Sequence, residues 1–169
     1  VHHFIAATNS NDVVPAYLTS GSYEPRPSVR TLSNAMDVGN PSNFARMIDL
    51  FATAKGHGVP TDNAIWKHMQ GSISGFAFTD QATEVAVREV KNKYDYTIDP
   101  HGAVGYLALN EYQEKNPDTL GVILETAHPA KFREDMDRIL DTPISIPERL
   151  LALEKETKVA TEMGTSYPE

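Results

Sequence analysis

No cysteine occurs anywhere in this chain. That excludes a disulfide scaffold, a thiolate metal site and a cysteine nucleophile. No apolar run approaches the roughly 20 residues that a membrane-spanning helix needs. There is no run of Lys and Arg, and the net charge is −8. The chain therefore lacks the concentrated positive field that nucleic acid or an anionic membrane would require, and neither partner is expected. Phosphate-binding signatures are missing too, with no Gly-x-x-x-x-Gly-Lys-Ser/Thr run and no Gly-x-Gly-x-x-Gly. Gly71-Ser72-Ile73-Ser74-Gly75 does not make a Gly-x-Ser-x-Gly elbow, and its serines enter a strand rather than leave one. The histidines His2, His3, His57, His68, His101 and His128 include no His-x-x-x-His pair. No metal site is expected. Val1 to Ile5 do not resemble a secretory leader, and the absence of cysteine fits the cytoplasmic location that is expected.

What is present is the make-up of a folded unit. Hydrophobic residues are 40% and charged residues 22% of 169 positions, and a chain of this length can bury roughly 70% of its unfolded surface. No repeat or composition break divides it. Residues 1–169 are read as a single unit, with a C-terminal helix and tail over 147–169. The chain has no initiator Met and enters strand-like sequence almost at once, so it is expected to be a piece of a longer protein.

Phe4–Thr8 reads as a strand, ending in the polar turn Asn9-Ser10-Asn11-Asp12. A short helix follows from Val13 to Leu18, then a Gly- and Pro-bearing loop from Gly21 to Pro27. Asn40 before Pro41 predicts an N-cap. It opens a helix with Phe44, Met47, Ile48 and Phe51 inward, closed by Gly56 and Gly58. A helical turn around Ala64 to Met69 leads to a strand at Ile73–Phe78. Thr79 caps a helix running to about Tyr94, with Thr83, Val87, Val90 and Tyr94 along one stripe. Asp99-Pro100 starts another, carrying Val104, Leu107, Ala108 and Tyr112 inward. Leu120–Leu124 predicts a third, buried strand, and Pro147 to about Thr161 a last, charged helix. Strands alternating with helices give the α/β class: a three-layer helix/sheet/helix unit with a small, mostly parallel sheet.

Glu125-Thr126-Ala127-His128-Pro129-Ala130-Lys131-Phe132 is the stretch richest in chemistry. Pro129 favours the first turn of a helix with Phe132, Met136, Ile139 and Leu140 on its apolar face. Thr126 and His128 thus stand where a strand gives way to a helix, the place where open α/β sheets hold ligands. From the residues alone, Thr126 reads first as a strand-end hydroxyl bonded to local backbone, and His128 as a helix-start residue packed on Pro129, ahead of any ligand contact. Asp99-Pro100-His101 reads as a helix opening, and Asn9 and Asn11 as turn residues.

Four long stretches, taken in order, resemble the C-terminal half of threonine synthase. They are Phe4 to Pro15, Leu32 to Asn43, Asp99-Pro100-His101-Gly102-Ala103-Val104, and Glu125 to Phe132. The likeness covers nearly the whole chain and weakens after about Pro147. The resemblance implies a tryptophan-synthase-β-like fold and a pyridoxal-phosphate lyase that turns O-phosphohomoserine and water into threonine and phosphate. It implies that Thr126 hydrogen-bonds the cofactor's pyridine nitrogen, and that His128, His101, Asn34 and Ala35 line the active site. The family's Schiff-base lysine stands in a Phe-Lys-Asp type motif, and its phosphate loop is Gly/Asn-rich. Both lie upstream of the strand that matches Phe4–Thr8. No lysine here, Lys131 included, has that context. The chain is accordingly expected to be a C-terminal fragment, inactive without the N-terminal half of the same protein. A phospholyase releasing a keto acid, or a catalytically silent domain acting in assembly or binding, are the alternative outcomes.

Overall fold

The computed structural model describes residues 1–53, 62–153, 155–157 and 159–164. Two short strands, β1 (Phe4–Thr8) and β2 (Ile73–Ala77), pair in parallel, with Phe4 opposite Ile73 and Thr8 opposite Ala77. A parallel pair needs a long crossover. It is supplied by α1 (Val13–Ser20), α2 (Phe44–Thr53) and α3 (Asp62–Ser72). After β2 come α4 (Asp80–Tyr94), α5 (Pro100–Lys115), α6 (Arg133–Leu140) and α7 (Glu148–Leu153).

Helices cover both faces of the sheet. On one face Gly75 backs onto Pro15 and Leu18 of α1, where a Cβ would collide with the Pro15 backbone. On the other, Ser74 lies 2.9 Å from His3 Nε2, and the His3 ring stacks on Tyr112 of α5. Successive strand residues point to opposite faces, so these contacts define the expected three layers. Each side has its own core. Tyr17, Leu18, Phe44, Ile65 and Met69 join α1, α2 and α3. Val87, Val90, Ala103, Tyr106, Phe132, Met136 and Ile139 join α4, α5 and α6.

Local signals explain the helix ends. Thr79 Oγ1 accepts from Ala82 N at 3.3 Å, and Asp99 Oδ1 accepts from His101 N at 2.9 Å, with Pro100 following it. Asp95 and Asp141 adopt left-handed backbone, with φ of 51° and 54°, where α4 and α6 stop.

Several sequence expectations are corrected. The helix opened by Asn40-Pro41 begins only at Phe44, and Asn40 accepts from the Tyr23 hydroxyl instead of capping. Gly56 and Gly58 lie outside the described residues. Tyr94, the last residue of α4, is 56% exposed rather than inward. The last helix is confined to Glu148–Leu153, with no buried residue to hold more turns.

The largest correction concerns Leu120–Leu124, which is not a strand. Among the described residues no strand lies alongside to pair with its backbone. Its side chains still alternate, with Leu120, Val122 and Leu124 at 96%, 81% and 81% exposure. Gly121 and Ile123 turn inward onto Leu109 and Gly105 of α5. The segment is extended but unpaired, its apolar half facing outward.

Candidate functional site

Beyond the ends of β1 and β2, side chains from several segments are fixed by polar contacts. Asn9, directly after β1, is 1% exposed. Its side-chain amide is within bonding distance of Thr31 Oγ1 (2.7 Å), Ser33 Oγ (3.0 Å) and Asp37 Oδ1 (2.9 Å). Asp37 in turn accepts from Thr31 N at 2.9 Å and from the Thr31 hydroxyl at 2.6 Å. Asn11 ties Val29 from both its amide atoms. This knot holds the 3-10 turn Asn34–Met36, on which Asn34 and Ala35 are exposed. Leu32 N donates to Asp80 Oδ1 at the head of α4 (3.1 Å), while its side chain packs on the core that Ala127 also borders.

The stretch from Glu125 onward follows the extended segment and passes into the 3-10 turn Pro129–Phe132, which leads to α6. His128 caps this turn: its Nδ1 accepts from Ala130 N at 3.1 Å. The ring's other nitrogen is thereby left as the donor of the neutral tautomer. Lys131 is exposed on the turn, and its backbone N bonds His128 O. Thr126 is exposed, and its hydroxyl makes no hydrogen bond among the described residues. Its neighbours Glu125, Ala127 and His128, but not Thr126 itself, line a hollow of about 400 Å³ together with Tyr96, Thr97 and Ile144, among others.

Behind the hollow the head of α5 carries a buried pair. Asp99 is fully buried, and its Oδ1 lies 2.9 Å from His101 Nδ1. The His101 side chain is only 8% exposed and packs against Phe132, with ring centroids 5.0 Å apart. His101 Nε2 and Asp99 Oδ2 are buried without partners among the described residues. Glu125 accepts from the Tyr96 hydroxyl at 3.3 Å. Burial, and then the negative charge of Asp99, push the Glu125 carboxyl above its usual range.

Thr126, His128 and His101 therefore share one neighbourhood, whereas Asn34 and Ala35 connect to it only through Leu32. His101 sits behind the hollow, not on its wall. Sequence reading passed over Glu125, Tyr96 and Gly102 as site-forming residues. The glycine after Asp99-Pro100-His101 was the available signal, since a Cβ built there would overlap Glu125 Oε1. Among the described residues no three potential metal ligands are grouped together, and no helix is long and apolar enough to cross a membrane.

An exposed, unpartnered hydroxyl such as that of Thr126 can donate to an unprotonated ring nitrogen without charging it. The helix-covered parallel sheet is the layout of the tryptophan-synthase-β-like class, fold type II of the pyridoxal-phosphate proteins. Residues 102–168 match the family description "Threonine synthase, C-terminal". Threonine synthase of Escherichia coli is 40% identical over 150 residues, covering 89% of this chain and 32% of that protein. The crystal structure of threonine synthase from yeast superposes with a TM-score of 0.80 at 25% identity, covering 93% of this chain and 38% of that one. A structure of PLP-bound threonine synthase from Brucella melitensis gives a TM-score of 0.78 at 26% identity, covering 94% and 36% respectively. The chain is similar to the C-terminal part of threonine synthases. It spans about a third of the length of these relatives.

Proposed function

We propose that this chain forms the pyridine-side wall of a pyridoxal-phosphate lyase that converts O-phosphohomoserine and water to threonine and phosphate. In this reading it works with an N-terminal remainder of the same protein, which supplies the cofactor-bearing lysine and the phosphate loop, in a cytoplasmic setting. The observation that carries it is the Thr126 hydroxyl, exposed and unpartnered, between Glu125 and Ala127, which both line a hollow next to a helical turn.

The cofactor, when bound, supplies an electron sink for carbanions. Thr126 would donate its O–H to the pyridine nitrogen; unlike a carboxylate, a neutral hydroxyl does not hold that nitrogen protonated. The ring is then a weaker sink, which limits how far negative charge is drawn into it. His128, fixed by its cap, holds a donor nitrogen beside the same hollow. Asn34 and Ala35 would border the site from the turn that Asn9 anchors.

Two measurements test the reading. Pyridoxal phosphate added to the 169-residue chain should give no lysine-dependent absorption band, and such a band, lost on replacing one lysine, would overturn the division of labour. The full-length protein given O-phosphohomoserine should release threonine. Release of a keto acid would point to a phospholyase, and no turnover at all to a silent domain.

A further inference from the structure

We infer that Glu125 is the positioning residue for Thr126: its carboxyl, as a neutral acid, bridges Tyr96 to the head of α5 and fixes the backbone from which the Thr126 hydroxyl projects. The inference rests on the reading of Thr126 as the pyridine contact. Glu125 is held on two sides, since its Oε2 accepts from the Tyr96 hydroxyl at 3.3 Å and its Oε1 lies over Gly102, where any Cβ would overlap it. Glycine at the third residue of α5 thus makes room for the carboxyl. Neighbouring Cα atoms are only about 3.8 Å apart, so moving Glu125 moves Thr126.

The acid form follows from counting donors. Asp99 is fully buried and its Oδ1 is served by His101 N and the His101 ring, but Oδ2 has no partner among the described residues. A buried carboxylate oxygen without a donor is costly. Glu125 Oε1 lies against Gly102 at the head of α5, the turn that Asp99 caps, and two carboxylates there would repel. Asp99 already holds the N-cap of α5, where negative charge is favoured. The proton therefore belongs on Glu125, whose O–H donates to Asp99 Oδ2. The titratable groups about Glu125 are Tyr96 from the α4–α5 connection, Asp99 and His101 from the head of α5, and His128 from the Pro129 turn.

The test uses the full-length protein, with circular dichroism to confirm that each variant folds. The Thr126 amide resonance of the cofactor-free protein reads the bridge alone. It should shift in Glu125→Ala, Gly102→Ala and the mild variant Tyr96→Phe. It should stay in place in Glu125→Gln, whose amide N–H can still donate to Asp99. With cofactor bound, the chemical shift of the pyridine nitrogen reads the consequence. Glu125→Ala should move it in the same direction as Thr126→Val, with no further change when the two are combined. An unmoved Thr126 amide in folded Glu125→Ala and Tyr96→Phe, or a Glu125→Gln variant as perturbed as Glu125→Ala, overturns the bridge. If the amide responds but Thr126→Val leaves the pyridine nitrogen unchanged, the bridge stands and the cofactor contact of Thr126 falls.

Discussion

Single side chains at the strand ends carry more of this molecule than their polarity suggests. Asn9 is the clearest case. Its amide and the Asp37 carboxylate saturate one another and the Thr31–Ser33 backbone inside the protein. Asn9→Ala would strand several buried groups at once, at a cost of about 1–3 kcal/mol. The urea midpoint should fall accordingly; an unchanged midpoint would mean that water replaces the amide. Glu125 gives a pH prediction whose sign is fixed. Its ordinary carboxyl value is 4.5, and burial together with Asp99 raises it in the folded chain. Between those two values the native state holds the extra proton, so stability falls as pH rises through that window. Urea unfolding should show that decline in the wild type and not in Glu125→Gln; parallel curves would refute it. Asn9 and Asn11 could be read from the sequence as turn residues. Their burial could not, because the partners come from distant chain positions: Thr31 for Asn9, 22 residues away, and Val29 for Asn11, 18 residues away.

Among the elements, α4, α5 and α6 form the best-packed part of the chain, around Val87, Val90, Met136 and Ile139. Met136 is completely buried. Met136→Ala should cost about 2–5 kcal/mol through lost burial and the cavity left behind, read as a lower chemical-denaturation midpoint. A loss below about 1 kcal/mol would show that the core collapses around the gap. These helices were legible because caps and apolar spacing agree: Thr79 and Asp99 both cap as their positions predict. Leu120–Leu124 misled for an equally physical reason. An apolar, β-branched run fixes an extended backbone, but pairing depends on a neighbour that the run does not encode. Here that run lies across Gly105 and Leu109, with no strand beside it among the described residues.

For the whole molecule, the consequence is an uncovered apolar ridge. Leu120, Val122 and Leu124 are more than four-fifths exposed, and Phe4 adds 58% at the start of β1. An exposed, extended, apolar backbone invites pairing with another chain. The isolated chain should therefore self-associate, and light scattering should show Leu120→Ser with Val122→Ser and Leu124→Ser shifting it toward monomer. A wild type that stays monomeric at high concentration would refute this. The α/β class, the helices and the caps at Thr79 and Asp99 were set by the sequence alone, because local sterics, capping and apolar period act over a few residues. Only the tertiary structure decided that Asn9 anchors the Asn34 turn, that Gly102 makes room for Glu125, and that Leu120–Leu124 stays unpaired. Those depend on which distant groups meet, and chain neighbours do not specify that.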